Sequence, residues 1–284
     1  MIKKGIILAG GYGTRLSPIT KVVNKQLLPL YDKPLIYYPL SVLMLAGIAD
    51  ILVITNKNEK SNFIKLLGNG SQLGIKITFL EQSKPKGLPD AFIVGEKFIG
   101  KNDVALILGD NFFYGQGFTN RLKAALHKNI GATIFTYIVN NPSEYGILEI
   151  DKKNKIKKIV EKPSSPKSNL AITGLYFFNH KVVEFAKTLK PSKRNELEIV
   201  DLLNIYLNNK SLKAEFMGRG SAWLDTGSAK NLFNASQFIA AIEERQGLKI
   251  SCIEEISYQN KWISKKQILK RISFYGKCDY SDYL

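Results

Sequence analysis

Three glycines and an arginine follow the first apolar run of the chain, in Leu8-Ala9-Gly10-Gly11-Tyr12-Gly13-Thr14-Arg15-Leu16. Glycine lets backbone N–H groups approach an anion closely, and a guanidinium offers a phosphate two parallel donors. Phosphate binding is the chemistry these residues suit. Two common phosphate loops are excluded by spacing. A dinucleotide fingerprint needs glycine at the third place after Gly13, where Leu16 stands. The stretch from Gly95 to Asn102 mimics a Walker loop, but it lacks the Ser/Thr that holds a metal and precedes an apolar run instead of following one. Lys25, in Lys25-Gln26-Leu27-Leu28-Pro29, is placed to offset charge on a phosphate leaving group. Taken alone it reads equally well as a surface lysine. Asp110 ends the apolar run 104–108, a position where sites are built; alone it reads equally as a loop or cap residue. The only histidines, His127 and His180, fall at a helix end and a helix start and read as structural.

A phosphate loop of this kind needs a parallel strand behind it and a helix after it. The first half supplies that alternation. Strands are expected at 5–8, 51–54, 76–80 and 104–108, and helices at 35–46, 60–67, 88–98 and 118–128. Short apolar runs separated by helices imply a parallel sheet covered on both faces. Residues 132–139, 146–150, 156–161 and 171–178 then read as strands with short links, so part of the sheet is mixed or antiparallel. Helices at 182–189 and 197–207, a strand at 213–217 and a long helix at 229–246 follow. Residues 247–284 hold one or two short helices. They are too few to sustain a core of their own, and so form an appendage packed on the main domain.

The net charge of +17 invites a nucleic-acid reading. Yet the excess is spread as +7, +7 and +3 over residues 1–100, 101–200 and 201–284, with no basic tail or basic domain. Lysine outnumbers arginine 35 to 6, a coding bias more than a groove-reading surface. Nucleic acid is therefore not expected as a partner. Cys252 and Cys278 make no disulfide framework and lack zinc-site spacing. The N-terminal apolar run is only about six residues, too short for a signal peptide's core, and no run approaches the roughly 20 residues of a membrane span. No membrane partner and a cytoplasmic location are expected.

The glycine segment with Pro18 and Thr20, followed by Lys25-Gln26-Leu27-Leu28-Pro29, resembles the signature of the sugar-1-phosphate nucleotidylyltransferases, in its glucose-1-phosphate thymidylyltransferase form. Further blocks match along the chain: Leu108-Gly109-Asp110-Asn111, Tyr145-Gly146, Glu161-Lys162-Pro163, Thr173-Gly174-Leu175-Tyr176 and Trp223-Leu224-Asp225-Thr226-Gly227 among them. The resemblance implies an α/β, Rossmann-like nucleotidyltransferase fold, with a mixed, mainly parallel central sheet flanked by helices and a small C-terminal helical appendage. It implies a domain over 1–246, with a nucleotide part at about 1–130 and a sugar-phosphate part at about 131–227, and the appendage at 247–284. The implied reaction transfers a thymidylyl group from dTTP to glucose 1-phosphate, giving dTDP-glucose and pyrophosphate, a first step toward dTDP-rhamnose and other deoxysugars of surface polysaccharide. The alternative is the same transfer with UTP or another sugar 1-phosphate.

The resemblance also implies roles. Arg15, Lys25 and Lys162 are the expected catalytic cations. Leu8, Ala9, Gly10, Gly11, Gly13, Thr14, Gln26, Gln82, Gly87, Leu88 and Asp110 are expected on the nucleotide. Tyr145, Gly146, Glu161, Ile172, Thr173 and Arg194 join Lys162 on the sugar phosphate, and Asp110 and Asp225 hold Mg²⁺. A second, regulatory nucleotide site near an interface of a homotetramer is implied at Leu45, Tyr114, Gly115, Phe118, Gly218, Arg219, Lys249, Ile250, Glu255 and Ile256. The chain departs from the family at Pro89-Asp90, where Ala-Gln or Ala-Glu is usual. Asn195 stands for a usual glycine and Val200 for a usual threonine. The first departure touches the base pocket, and the others touch the placement of Arg194.

Overall fold

A computed structural model describes residues 2–284. Strand β1 (Lys4–Ala9) is apolar on both faces and lies inside the sheet, with Ile6 and Ile7 wholly buried on opposite sides. A two-stranded hairpin, β2 (Pro29–Leu30) and β3 (Lys33–Pro34), follows the phosphate loop, and then helix α1 (Tyr37–Leu45). Strand β4 (Asp50–Asn56), helix α2 (Lys60–Leu67), strand β5 (Lys76–Gln82), the short helices α3 (Asp90–Val94) and α4 (Glu96–Ile99), and strand β6 (Val104–Leu108) complete the alternating part. The helix expected over 88–98 is split at Gly95. A Cβ there would stand 2.9 Å from the Ala91 carbonyl and 3.1 Å from Leu52, so the two helices meet at a position with no room for a side chain.

Strand β7 (Asn111–Gly115) leads into helix α5 (Phe118–Lys128). Strands β8 (Ala132–Ile138), β9 (Gly146–Ile150), β10 (Ile156–Glu161) and β11 (Leu170–Phe178), helices α6 (Val182–Thr188) and α7 (Ile199–Asn208), strands β12 (Leu212–Phe216) and β13 (Ser221–Asp225), and helix α8 (Ala229–Gln246) come next. The last segment forms three helices, α9 (Ile253–Gln259), α10 (Lys265–Tyr275) and α11 (Asp279–Tyr283).

Nine strands form one mixed sheet with the path β10-β9-β11-β6-β1-β4-β5; β8 pairs with β11 and β12 off that path. β1 is parallel to both β4 and β6, and β4 is parallel to β5. β11 runs antiparallel to β6 and β8 and ties the two halves of the sheet together. On one face Ile7, Val53 and Ile107 pack with α1 and α5; on the other Ile6, Leu52 and Leu106 pack with α3, α6 and α7. Helix α1 is buried along nearly its whole length because the sheet lies under it and α9 over it. The C-terminal helices are anchored by Glu254, which is fully buried. Its oxygens accept from Arg271 Nε at 3.2 Å and from the hydroxyls of Tyr275 and Tyr280 at 2.6 and 2.7 Å. No helix among the described residues is long and apolar enough to cross a membrane.

Candidate active site

Register brings the candidate residues to one edge. Leu8 lies opposite Ile54 and Leu108, so Gly10, Asn56, Gln82 and Gly109 all sit at the carboxyl ends of parallel strands. The order reverses direction at β1, where β4 and β6 flank it, and such switch points are where open α/β sheets take ligands. The glycine loop leaves β1 there. Gly13 is left-handed (φ 60°), and a Cβ on it would lie 2.9 Å from Thr20 Cγ2. Thr20 Oγ1 donates to Gly13 O at 2.8 Å, which holds the turn from behind.

Lys25 is almost fully buried and its ammonium stands 2.6 Å from Asp110 Oδ2. Asn24 presents it: Asn24 Oδ1 accepts from Gln26 N at 2.9 Å and caps the short turn carrying both residues. Burial pushes the Asp110 carboxyl up, but the charge and hydrogen bond of Lys25, with help from Asn111, outweigh it and hold the group below its ordinary range.

Asp225 comes to the same place because β13 pairs with β7, setting Asp225 opposite Asn111. Thr226 then clasps Asp110, its N and Oγ1 donating to Asp110 O at 3.1 and 2.9 Å. Asp225 is oriented by Tyr145 OH (2.9 Å to Oδ2) and Asn231 Nδ2 (2.7 Å to Oδ1). Burial and the nearby Asp225 charge raise the Tyr145 phenol, so it stays a neutral donor. Asn111 joins the parts: its Nδ2 donates to Asp110 Oδ1 at 2.9 Å, while its Oδ1 accepts from Gly174 N (3.0 Å) and Trp223 Nε1 (2.6 Å).

Asp110, Asn111 and Asp225 line a cleft of about 460 Å³ with Arg15, Tyr145, Lys162, Ile172 and Thr173. The pairing of β11 with β8 is interrupted between Ile172 and Tyr176, and this break turns Thr173 toward the cleft. Its hydroxyl is buried without a partner, as are Gln26 Oε1 and Asn56 Oδ1 at the sheet edge. Buried polar atoms left unpaired by the protein are places a ligand can satisfy. Lys162 sits in the left-handed region (φ 41°), and its N–H donates to Tyr145 O at 3.0 Å. Neither Arg15 nor Lys162 has a carboxylate within ion-pairing distance among the described residues. Two exposed, unpaired cations and two carboxylates in one cleft suit phosphates and a hard cation. No group of three or more metal-ligating side chains occurs among the described residues. Two carboxylates fit a cation whose remaining positions are filled by water and phosphate oxygens.

The other candidates are dispersed. Gly146 follows Tyr145, and a Cβ on it would lie 3.3 Å from Glu161 Oε2. Arg194 is turned to Glu198, bonded at 3.1 and 2.6 Å, and to Glu161 at 3.4 Å, so its fork is occupied by carboxylates and lies outside the lining of the cleft. Gly87 (φ 95°) forms a parallel bridge with Leu197, whose N–H donates to Lys86 O at 2.8 Å; no side chain fits at Gly87. Leu88 packs on the core beneath. Eight of the ten expected regulatory residues line a second pocket of about 290 Å³: Leu45, Tyr114, Gly115, Phe118, Lys249, Ile250, Glu255 and Ile256. Gly218 and Arg219 lie outside that lining, in the turn between β12 and β13. Asn24 and Asn231 support the site without standing in any sequence motif, whereas Asn111 stands in the block Leu108-Gly109-Asp110-Asn111. The adjacency of Asn111 to Asp110 was the one available signal.

A family model described as nucleotidyl transferase matches residues 4–242. The glucose-1-phosphate thymidylyltransferase of Neisseria gonorrhoeae is 54% identical over 281 residues, 99% of this chain and 98% of that protein. The chain belongs to the glucose-1-phosphate thymidylyltransferase family. Solved structures agree with the family's fold. A Bacillus anthracis crystal structure described as a glucose-1-phosphate thymidylyltransferase superposes with a TM-score of 0.77 at 39% identity, covering 83% of this chain and 94% of that one. A UDP-glucose pyrophosphorylase solved with UDP-glucose gives 0.75 at 30% identity, covering 87% and 100%. Nucleotidyltransferases of this family generally work with a divalent metal.

Proposed function

We propose that the chain joins dTTP and glucose 1-phosphate to give dTDP-glucose and pyrophosphate. The observation that supports it best is the convergence of Arg15, Lys162, Asp110 and Asp225 on one cleft at the sheet's switch point, with Lys25 bonded to Asp110. A phosphate oxygen of the sugar attacks the α-phosphorus of dTTP in line; the new P–O bond forms as the bond to pyrophosphate breaks. The nucleophile is already anionic, so no protein nucleophile or general base is required. The chain's task is to hold two polyanions together and offset their charge. Arg15, on the loop, faces the triphosphate. Lys25 neutralises charge at the α-phosphorus, and Lys162 receives the sugar phosphate. Thr173, Tyr145, Gly146, Glu161 and Ile172 form the sugar's side, with Arg194 holding Glu161. Gln26, Gln82, Gly87 and Leu88 form the base side. Mg²⁺ at Asp110 and Asp225 would supply further charge neutralisation on the phosphates, in competition with Lys25 for the Asp110 carboxylate.

In this reading residues 1–130 serve the nucleotide and 131–227 the sugar phosphate, within a domain ending near 246, and 247–284 pack on it. The second pocket takes a regulatory nucleotide in a homotetramer, and the protein works in the cytoplasm ahead of deoxysugar synthesis. The test is pyrophosphate release from glucose 1-phosphate and Mg²⁺ with each NTP in turn. Release with dTTP is expected; none with any nucleotide removes the enzyme assignment. Comparable rates with UTP would keep the chemistry and remove the thymidylyl preference.

A further inference from the structure

Asp90 opens helix α3, and its side chain makes one specific contact. It is buried, and its Oδ2 accepts from Gln82 Nε2 at 2.6 Å. Gln82 is itself buried, at the carboxyl end of β5, opposite Asn56 of β4. Its other end faces the phosphate loop: a Cβ on Gly10 would lie 3.1 Å from Gln82 Oε1, so the missing side chain at Gly10 leaves that oxygen open. The lever is anchored in the core. The next residues of α3, Ala91 and Phe92, are fully buried, and the Phe92 ring meets Phe178 edge-on at 5.1 Å.

A glutamine amide can present its oxygen and nitrogen in either order, because turning it by half a circle exchanges them. An ionised carboxylate accepts only. With Asp90 on one side, the NH₂ must face Asp90 and the oxygen must face Gly10. One N–H is used up, and the carbonyl with the second N–H remains, in a fixed order, for whatever lies across the sheet edge.

The geometry points to Asp90 as a specificity-determining positioning residue, which locks the Gln82 amide so that Oε1 meets a ring N–H beside a ring carbonyl: the imide edge of thymine or uracil. At the same place cytosine carries a bare ring nitrogen, and two lone pairs would then oppose each other. A site left with an unpaired polar group rejects the wrong partner strongly. This inference rests on the reading that a nucleoside triphosphate lies across the carboxyl end of β1 with its base over β5.

Steady-state kcat/KM for dTTP and dCTP, with glucose 1-phosphate fixed, measures the lock in the wild type, Asp90→Asn, Asp90→Ala and Gln82→Leu. Asparagine keeps the shape of aspartate but can also donate, which frees the amide to turn. Alanine removes the acceptor altogether. Both should lower the dTTP-to-dCTP ratio at least tenfold, mainly through KM for dTTP, and Gln82→Leu should lower it at least as far. A ratio unchanged in both Asp90 variants but collapsed in Gln82→Leu overturns the lock and keeps the base reading. A ratio unchanged in all three overturns both.

Discussion

Lys25 Nζ and Asp110 Oδ2, 85 positions apart in sequence, lie 2.6 Å from each other at the edge between β1 and β6. On the proposed function the pair combines a cation suited to a phosphate with a carboxylate suited to a metal, each satisfied here by the other. Asp110→Asn should reduce turnover at least a hundredfold while the protein stays folded, read by pyrophosphate release and thermal unfolding. The carboxyl is held below its ordinary value, so its contribution to stability is present above about pH 4, the unfolded value, and is lost as pH falls through the lower folded value. Melting curves of wild type and variant should therefore converge only in strong acid.

Tyr145 OH holds Asp225 Oδ2 at 2.9 Å. On the proposed function Asp225 is a metal carboxylate, and partners that orient such a group typically matter about 10–100-fold for metal affinity or activity. Tyr145→Phe should raise the Mg²⁺ concentration for half-maximal rate by about tenfold, with the saturated rate changed less. The phenol remains protonated, so the effect should not vary between pH 6 and 9, a range well below the roughly pH 10 of an ordinary tyrosine.

Thr173 is wholly buried and its hydroxyl has no partner. A buried polar group left unsatisfied costs about 1–3 kcal/mol. Thr173→Val keeps the shape, so urea unfolding should show a stability equal to or greater than that of wild type. KM for glucose 1-phosphate should rise about tenfold, the size of one lost hydrogen bond.

Lys33 is buried between Glu243, 3.0 Å away, and Asp32, while Lys249 completes the cluster at 2.6 Å from Asp32. Removing one member of a buried ion pair costs about 3–5 kcal/mol because its partner is left uncompensated. Lys33→Met should lower the urea midpoint accordingly; Lys33→Arg, which keeps the charge, should recover part of it.

The fold was legible wherever a residue pattern fixed the local choice. The helix over 60–67 and the strands over 104–108 and 146–150 fall where apolar spacing put them. β7 and β13 were missed as strands. Asn111–Gly115 and Ser221–Asp225 pair only with each other, across a separation no local pattern reports. Yet that pairing is what brings Asp225 to Asp110. The cations and carboxylates could be named from motifs, whereas the supports Asn24 and Asn231 could not. They look like ordinary turn or helix residues until tertiary structure supplies their partners. Arg194 shows the converse: the resemblance implied a place on the sugar phosphate, and the structure adds Glu198, four residues on, as its carboxylate partner.

Leu197 is stitched to Lys86 and Gly87 by backbone alone. That seam joins the turn before α3 to the segment carrying Arg194 and Glu198, although the two are more than a hundred residues apart along the chain. On the proposed function, a bulkier side chain at Gly87 would press on the Leu197 backbone, so a change on the base side would reach the segment that carries Arg194.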